Sequence, residues 1–189
     1  MEELIHSITV WIQNFVLNNN ILISLFIGSF IVILESILPF LPLAVFIAIN
    51  IIAFGSVLGF ILSYISTIIG CTISFYLVRC LKKYNNSEVI HKLIIKFESL
   101  KFSNLVIITA VPFTPAFSIN IAAGLSKMKY KKFLSVLIIA KLSTIYFWGF
   151  IGTTLIESIT DIVVISKILV LLLTTFILSK MIMRHFDIY

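Results

Sequence analysis

The chain has 189 residues, 60% of them hydrophobic, with a mean hydropathy of +1.17 and 12% charged side chains, against about 25% in a soluble domain. That balance argues against a soluble enzyme. The net charge of +6 is no nucleic-acid signal, because the basic residues gather in short segments between apolar runs, the positive-inside pattern of a membrane protein.

The first stretch, MEELIHSITVWIQNFVLNNN, is acidic and lacks a cleavage-site pattern, so no signal peptide is expected. Its apolar residues Leu4, Ile5, Ile8, Trp11, Ile12 and Phe15 follow helical spacing, and residues 1–20 read as an interfacial amphipathic helix. Residues 21–34 are apolar, end at Glu35, and read as a first span rising from a cytoplasmic N-terminus. Ser36–Val78 then runs 43 residues without an ionisable acid, base or histidine. As one helix it would be about 65 Å long, roughly twice the hydrocarbon thickness, so it must turn back. Pro39 and Pro42 supply the break, giving a re-entrant hairpin over about 36–52, followed by a span over 54–78 that ends at Arg79. Cys71 and Cys80 lack zinc-knuckle or C-x-x-C spacing and read as packing residues. The segment 82–101 carries five lysines, with Val89, Leu93, Ile94 and Phe97 on one helical face, and reads as an amphipathic cytoplasmic segment.

Phe102–Ser126 is 25 residues without a charge. Hydropathy alone makes it a span. Its flanks argue otherwise, because Lys96 and Lys101 precede it and Lys127, Lys129, Lys131 and Lys132 follow it. A crossing would put basic clusters on both sides of the membrane. A re-entrant hairpin over 103–126, bent at Pro112 and Pro115, keeps both on one side. Phe133–Ile156 crosses outward past Lys141, Glu157 and Asp161 mark an outer turn, and Ile162–Met183 returns to a cytoplasmic end at Lys180, Arg184 and His185. The expected fold is all-α and integral to the membrane, with four spans and two opposed re-entrant hairpins. Residues 1–20, a membrane domain over 21–156, and a C-terminal span with its tail over 157–189 are the expected divisions.

Both halves contain P-F-x-P, at Pro39–Pro42 and Pro112–Pro115. Asn50 and Gly55 follow the first, Asn120 and Gly124 the second, and each leads into a span. On opposite sides of the membrane, these form an inverted-topology repeat, the architecture of many transporters.

At these residues the chain resembles the DedA family, also called SNARE-associated or VTT-domain proteins. The resemblance runs from about Leu34 to Gly152. It rests on Glu35 ahead of Pro39-Phe40-Leu41-Pro42, on Gly55, Gly59 and Gly70, and on Phe75–Arg79. Val111-Pro112-Phe113-Thr114-Pro115 follows, leading to Asn120 and Ala122-Ala123-Gly124, then Met128 and Phe133. The resemblance implies opposed hairpins and movement of lipids across the bilayer: undecaprenyl phosphate or phospholipid in bacterial members, with proton coupling, and phospholipid scrambling in eukaryotic relatives. The chain departs from the pattern at three places. Thr109 stands where many relatives carry an arginine, Leu43 and Ala44 where many carry an acid, and Val78 where a glycine is usual.

Glu35 is the one acid between Glu3 and Glu88. A carboxylate in a membrane costs several kcal/mol unless paired, protonated or hydrated, so Glu35 reads as a proton site or a cation's partner; an interfacial position at the end of a short span is the plainer alternative. Lys141 lies about 12 Å along its helix from Phe133, where it contacts a phosphate, pairs with Glu35, or reaches water through a thinned cavity. Arg79 is read as a phosphate fork or an ordinary topological anchor. Asn120 and Thr114 satisfy backbone groups freed by the prolines or touch a headgroup. Gly55, Gly70 and Gly124 read as close-packing positions. No HExxH, GxSxG or phosphate-binding loop is present in the sequence, so neither an enzyme nor a metal or other cofactor is expected. The expected partners are membrane lipids with anionic headgroups and a second copy of the chain.

Overall fold

The computed structural model describes residues 20–38, 43–81, 97–114, 116–157 and 161–185, with single positions at 7, 10, 14, 94 and 95. The amphipathic segments expected at 1–20 and 82–101 fall largely outside these residues, as do Pro39, Pro42 and Pro115. Seven helices are described from residue 20 onward: α1 (Ile21–Ile37), α2 (Leu43–Phe54), α3 (Ser56–Leu81), α4 (Phe102–Ala110), α5 (Ala116–Leu125), α6 (Tyr130–Glu157) and α7 (Ile162–His185).

Local chemistry sets their ends. The Asn20 side chain caps α1 by accepting from Leu22 N at 3.0 Å, and Asp161 Oδ1 caps α7 by accepting from Val163 N at 2.8 Å. α1 and α4 both stop one residue before a proline. Leu38 has φ −122° and ψ 87°, and Val111 has φ −72° and ψ 124°. A residue preceding proline is pushed out of the α region by the pyrrolidine ring. Between α2 and α3 the chain reverses at Gly55, with φ +84°. A hypothetical Cβ there meets open space, so this glycine serves backbone conformation rather than the close packing the sequence suggested.

Three described helices are long and apolar enough to cross a membrane: Ser56–Cys80, Tyr130–Ile156 and Ile162–Arg184. The expected fourth, at 21–34, corresponds to the 17-residue apolar α1, about 26 Å long against roughly 30 Å of hydrocarbon. It is the first arm of a pair with α2. Gly28 of α1 lies against Asn50 and Phe54 of α2, so α2 returns alongside α1. Asn50 Nδ2 ties this pair to α3, donating to Ser63 Oγ at 3.0 Å and to Gly28 O at 3.5 Å. The first break therefore lies between arms at 21–37 and 43–54.

The two halves pack reciprocally. α1 lies on α3, and α4 lies on α6, each first arm against the long helix of its own half. The second arms reach across: α5 packs on α3, and α2 packs on both α3 and α6. Between α3, α4, α5 and α6 sits a cluster of Cys71, Phe75, Leu105, Ala123, Phe133 and Leu137. Phe75 and Phe133 stack at 4.6 Å within it. Gly124 allows α5 to reach α3, because a Cβ there would fall 2.9 Å from Phe75 O and 3.0 Å from Val78.

Polarity is turned inside out relative to a water-soluble fold. Ser63, Ser66, Thr67, Ser74, Glu35 and Lys141 are buried, while Val57, Ile65, Ile139, Tyr146, Ile162 and Val170 face outward. So large an apolar exterior marks a surface in contact with lipid or protein; together with the three long apolar helices it makes this an integral membrane protein.

Candidate functional site

α1 passes Gly70 with Ile33 and Ser36, and Gly70 lies fourteen residues past the start of α3. α4 ends at Thr144, fourteen residues past the start of α6. Each first arm therefore stops about 21 Å along a helix of roughly 40 Å. Both breaks open on one cavity of about 250 Å³. The first contributes Glu35, Leu43 and Ala44; the second contributes Thr109, Val111, Pro112 and Thr114. α6 closes it with Lys141, Thr144 and Trp148, whose spacing places them on one helical face.

The cavity is apolar by area but carries a few converging polar groups. Glu35 is 7% exposed and Lys141 3% exposed, and both line this cavity. Placing an acid and a base together lowers the cost of holding either in a low-dielectric interior. The Thr109 and Thr114 hydroxyls are buried with no hydrogen-bond partner among the described residues. Such orphans are rare in folded proteins and point to a ligand, ion or water. The hydroxyl of Thr144 lies within hydrogen-bonding distance of Ala140 O (3.2 Å), Ala110 O (3.2 Å) and Thr109 O (3.4 Å). Its single proton can reach the Ala110 or Thr109 carbonyl, which a continuous α4 would have paired internally.

The structure thus brings Glu35, Thr114 and Lys141 together and adds Thr109, Thr144 and Trp148. Thr144 holds the freed carbonyls, the task the sequence offered to Thr114 and Asn120. Asn120 lies within α5, nearly fully buried, and its Nδ2 has no partner among the described residues. Arg79 is also away from the cavity. Its Nε donates to Gly124 O at 3.3 Å, and its Nη2 donates to Met128 O, Ser126 O and Ala123 O at 2.8, 3.1 and 3.4 Å. The guanidinium carbon sits 4.2 Å over the Phe75 ring. Arg79 therefore caps the C-terminal end of α5, where orphan carbonyls and the helix dipole both favour a cation. Neither sequence reading of Arg79 included this role, since nothing in the local sequence places residues 123–128 beside it.

Two broken helices meeting halfway along two long ones, around a buried acid and base, correspond to a defined class of membrane protein. A family model described as the VTT domain matches residues 38–154, and the chain belongs to this family, the DedA or SNARE-associated membrane proteins. The match includes both breaks and most of α6 but leaves α7 outside. The chain is also 33% identical over 135 residues to a protein of Bacillus subtilis (strain 168) described as the uncharacterized membrane protein YhjE, covering 68% of this chain and 65% of that protein. It spans less than two thirds of that relative's length. No solved structure matches the chain.

Proposed function

We propose that this protein moves an anionic lipid, a phospholipid or a polyprenyl phosphate, across the bilayer as a flippase or scramblase, without covalent chemistry or a bound cofactor. One observation carries this reading: both helix breaks open on a single cavity that holds Glu35, Lys141 and two threonine hydroxyls without a partner among the described residues. Non-helical backbone at membrane depth is tolerated where it lines a cavity or is buried in protein. In this reading the broken pairs are re-entrant hairpins from opposite faces, related as an inverted repeat. The headgroup crosses through the cavity while its chains stay in lipid. Lys141 and the Thr109 and Thr114 hydroxyls receive the phosphate, and Glu35 balances Lys141 when the site is empty or carries the proton of a coupled cycle.

Orientation follows from the charges. All 14 lysines and arginines lie at or after Arg79, and the 127–132 cluster sits on the cytoplasmic side of a bacterial plasma membrane in this reading. Two cytoplasmic termini correspond to four spans; in the three-crossing reading proposed here, Asn20 is outside and His185 inside.

Reconstitution into liposomes tests the proposal: labelled anionic lipid transfers faster than in protein-free vesicles, and equal rates overturn it. The second reading is a small-solute or ion transporter, favoured by the modest cavity volume of about 250 Å³. It predicts gradient-dependent uptake that is indifferent to lipid identity.

A further inference from the structure

A second, larger cavity of about 830 Å³ lies between α7 and the second helix break, within the usual size range of a ligand site. Phe113, between the two prolines of that break, forms one wall; Phe176, Lys180, Met181 and Arg184 of α7 form the other. Phe176, Lys180 and Arg184 recur every four residues, so they make one stripe about 12 Å long on α7. The stripe is aromatic toward the middle of the helix and cationic toward its end. Phe113 meets Phe176 edge-on at 5.6 Å, and Lys180 Nζ stands 5.2 Å over the Phe176 ring. Among the described residues no carboxylate pairs with Lys180 or Arg184. Two like charges four apart on a helix repel, and here they share an apolar groove open to the outside of the fold.

We propose that this groove is a binding site for one anionic lipid, its headgroup held by Lys180 and Arg184 and a chain lying against Phe113 and Phe176. The occupant follows from the pattern: paired cations recognise an anionic phosphate, and the apolar wall continuing from them toward mid-helix recognises an acyl chain. A soluble anion would leave the aromatic end of the groove unused. The site is separate from the central cavity and does not depend on transport. Phe113 is the partition between them, since its neighbours Pro112 and Thr114 line the central cavity and its ring also meets Trp148 edge-on at 5.5 Å.

That proximity provides the test. The chain has two tryptophans, so Trp11→Phe leaves Trp148 as the only indole. In vesicles of phosphatidylcholine, a phosphatidylglycerol with brominated chains quenches Trp148 at about 25-fold lower mole fraction than a brominated phosphatidylcholine, given roughly fivefold for each of the two cations. Lys180→Gln with Arg184→Gln abolishes the preference. Lys180→Arg with Arg184→Lys preserves it, as does Lys129→Gln with Lys131→Gln on the other basic cluster. Equal quenching by the two lipids in the Trp11→Phe protein overturns the proposal. So does a preference that survives the Lys180 and Arg184 glutamines, or one that the Lys129 and Lys131 glutamines remove equally.

Discussion

Replacing Arg79 with alanine strips the end of α5 of a cation that serves four carbonyls. Hydrogen bonds to a charged group contribute about 1.5–3 kcal/mol each in net terms, and the four share one side chain, so a loss near 3 kcal/mol is expected. Thermal unfolding in detergent measures it. Lysine restores little, because a point charge cannot fork over several acceptors. Lipid transfer per folded molecule stays unchanged in Arg79→Ala, which separates the capping role from contact with substrate. At the cavity the pattern reverses. Lys141→Met removes the base that lines the cavity with the buried Glu35 and is expected to lower stability. Adding Glu35→Gln recovers much of that stability, but the double variant still transfers lipid at least about tenfold more slowly, since a charge-assisted phosphate contact is lost. Recovery of transfer along with stability would limit the pair to a structural role.

Among the elements, the second break depends on Thr144, which lies 34 residues away in sequence from the nearest residue it serves across the break. Thr144→Val keeps the shape and removes the hydroxyl, exposing the Ala110 and Thr109 carbonyls to an apolar wall. A loss of about 1–3 kcal/mol is expected, with lipid transfer falling further than stability alone explains because the break lines the cavity. Gly55→Ala, at φ +84°, costs about 1–2 kcal/mol through backbone strain alone. Both long helices and the positions of both breaks were readable in the sequence, because proline acts on its immediate neighbours. The return of α2 along α1, with Gly28 against Asn50, was not legible, because a 17-residue apolar arm and a short span have the same hydropathy. Glu35 and Lys141 could be singled out as charges in apolar runs. Their convergence with Thr109, Thr144 and Trp148 could not, since it arises only when α4 and α6 pack.

For the whole molecule, the proposed three-crossing topology predicts Asn20 and the 127–132 cluster on opposite sides. In a Cys80→Ser background, with Cys71 buried, Asn20→Cys reacts with an impermeant maleimide on intact cells, and Lys129→Cys reacts only after permeabilisation. Labelling of both from one side restores an even number of crossings and removes the hairpin reading of α1 and α2. The packing of second arms across the halves bears on how the protein is made. Until α6 emerges, α2 has α3 but not its second partner, and until α5 emerges a face of α3 stays bare; the first half is completed only when the second is synthesised. The halves are thus complementary parts of one structure rather than two self-sufficient copies. Severing the chain between residues 81 and 97 and producing both pieces together should give fragments that purify as a pair, whereas the first piece made alone should be degraded.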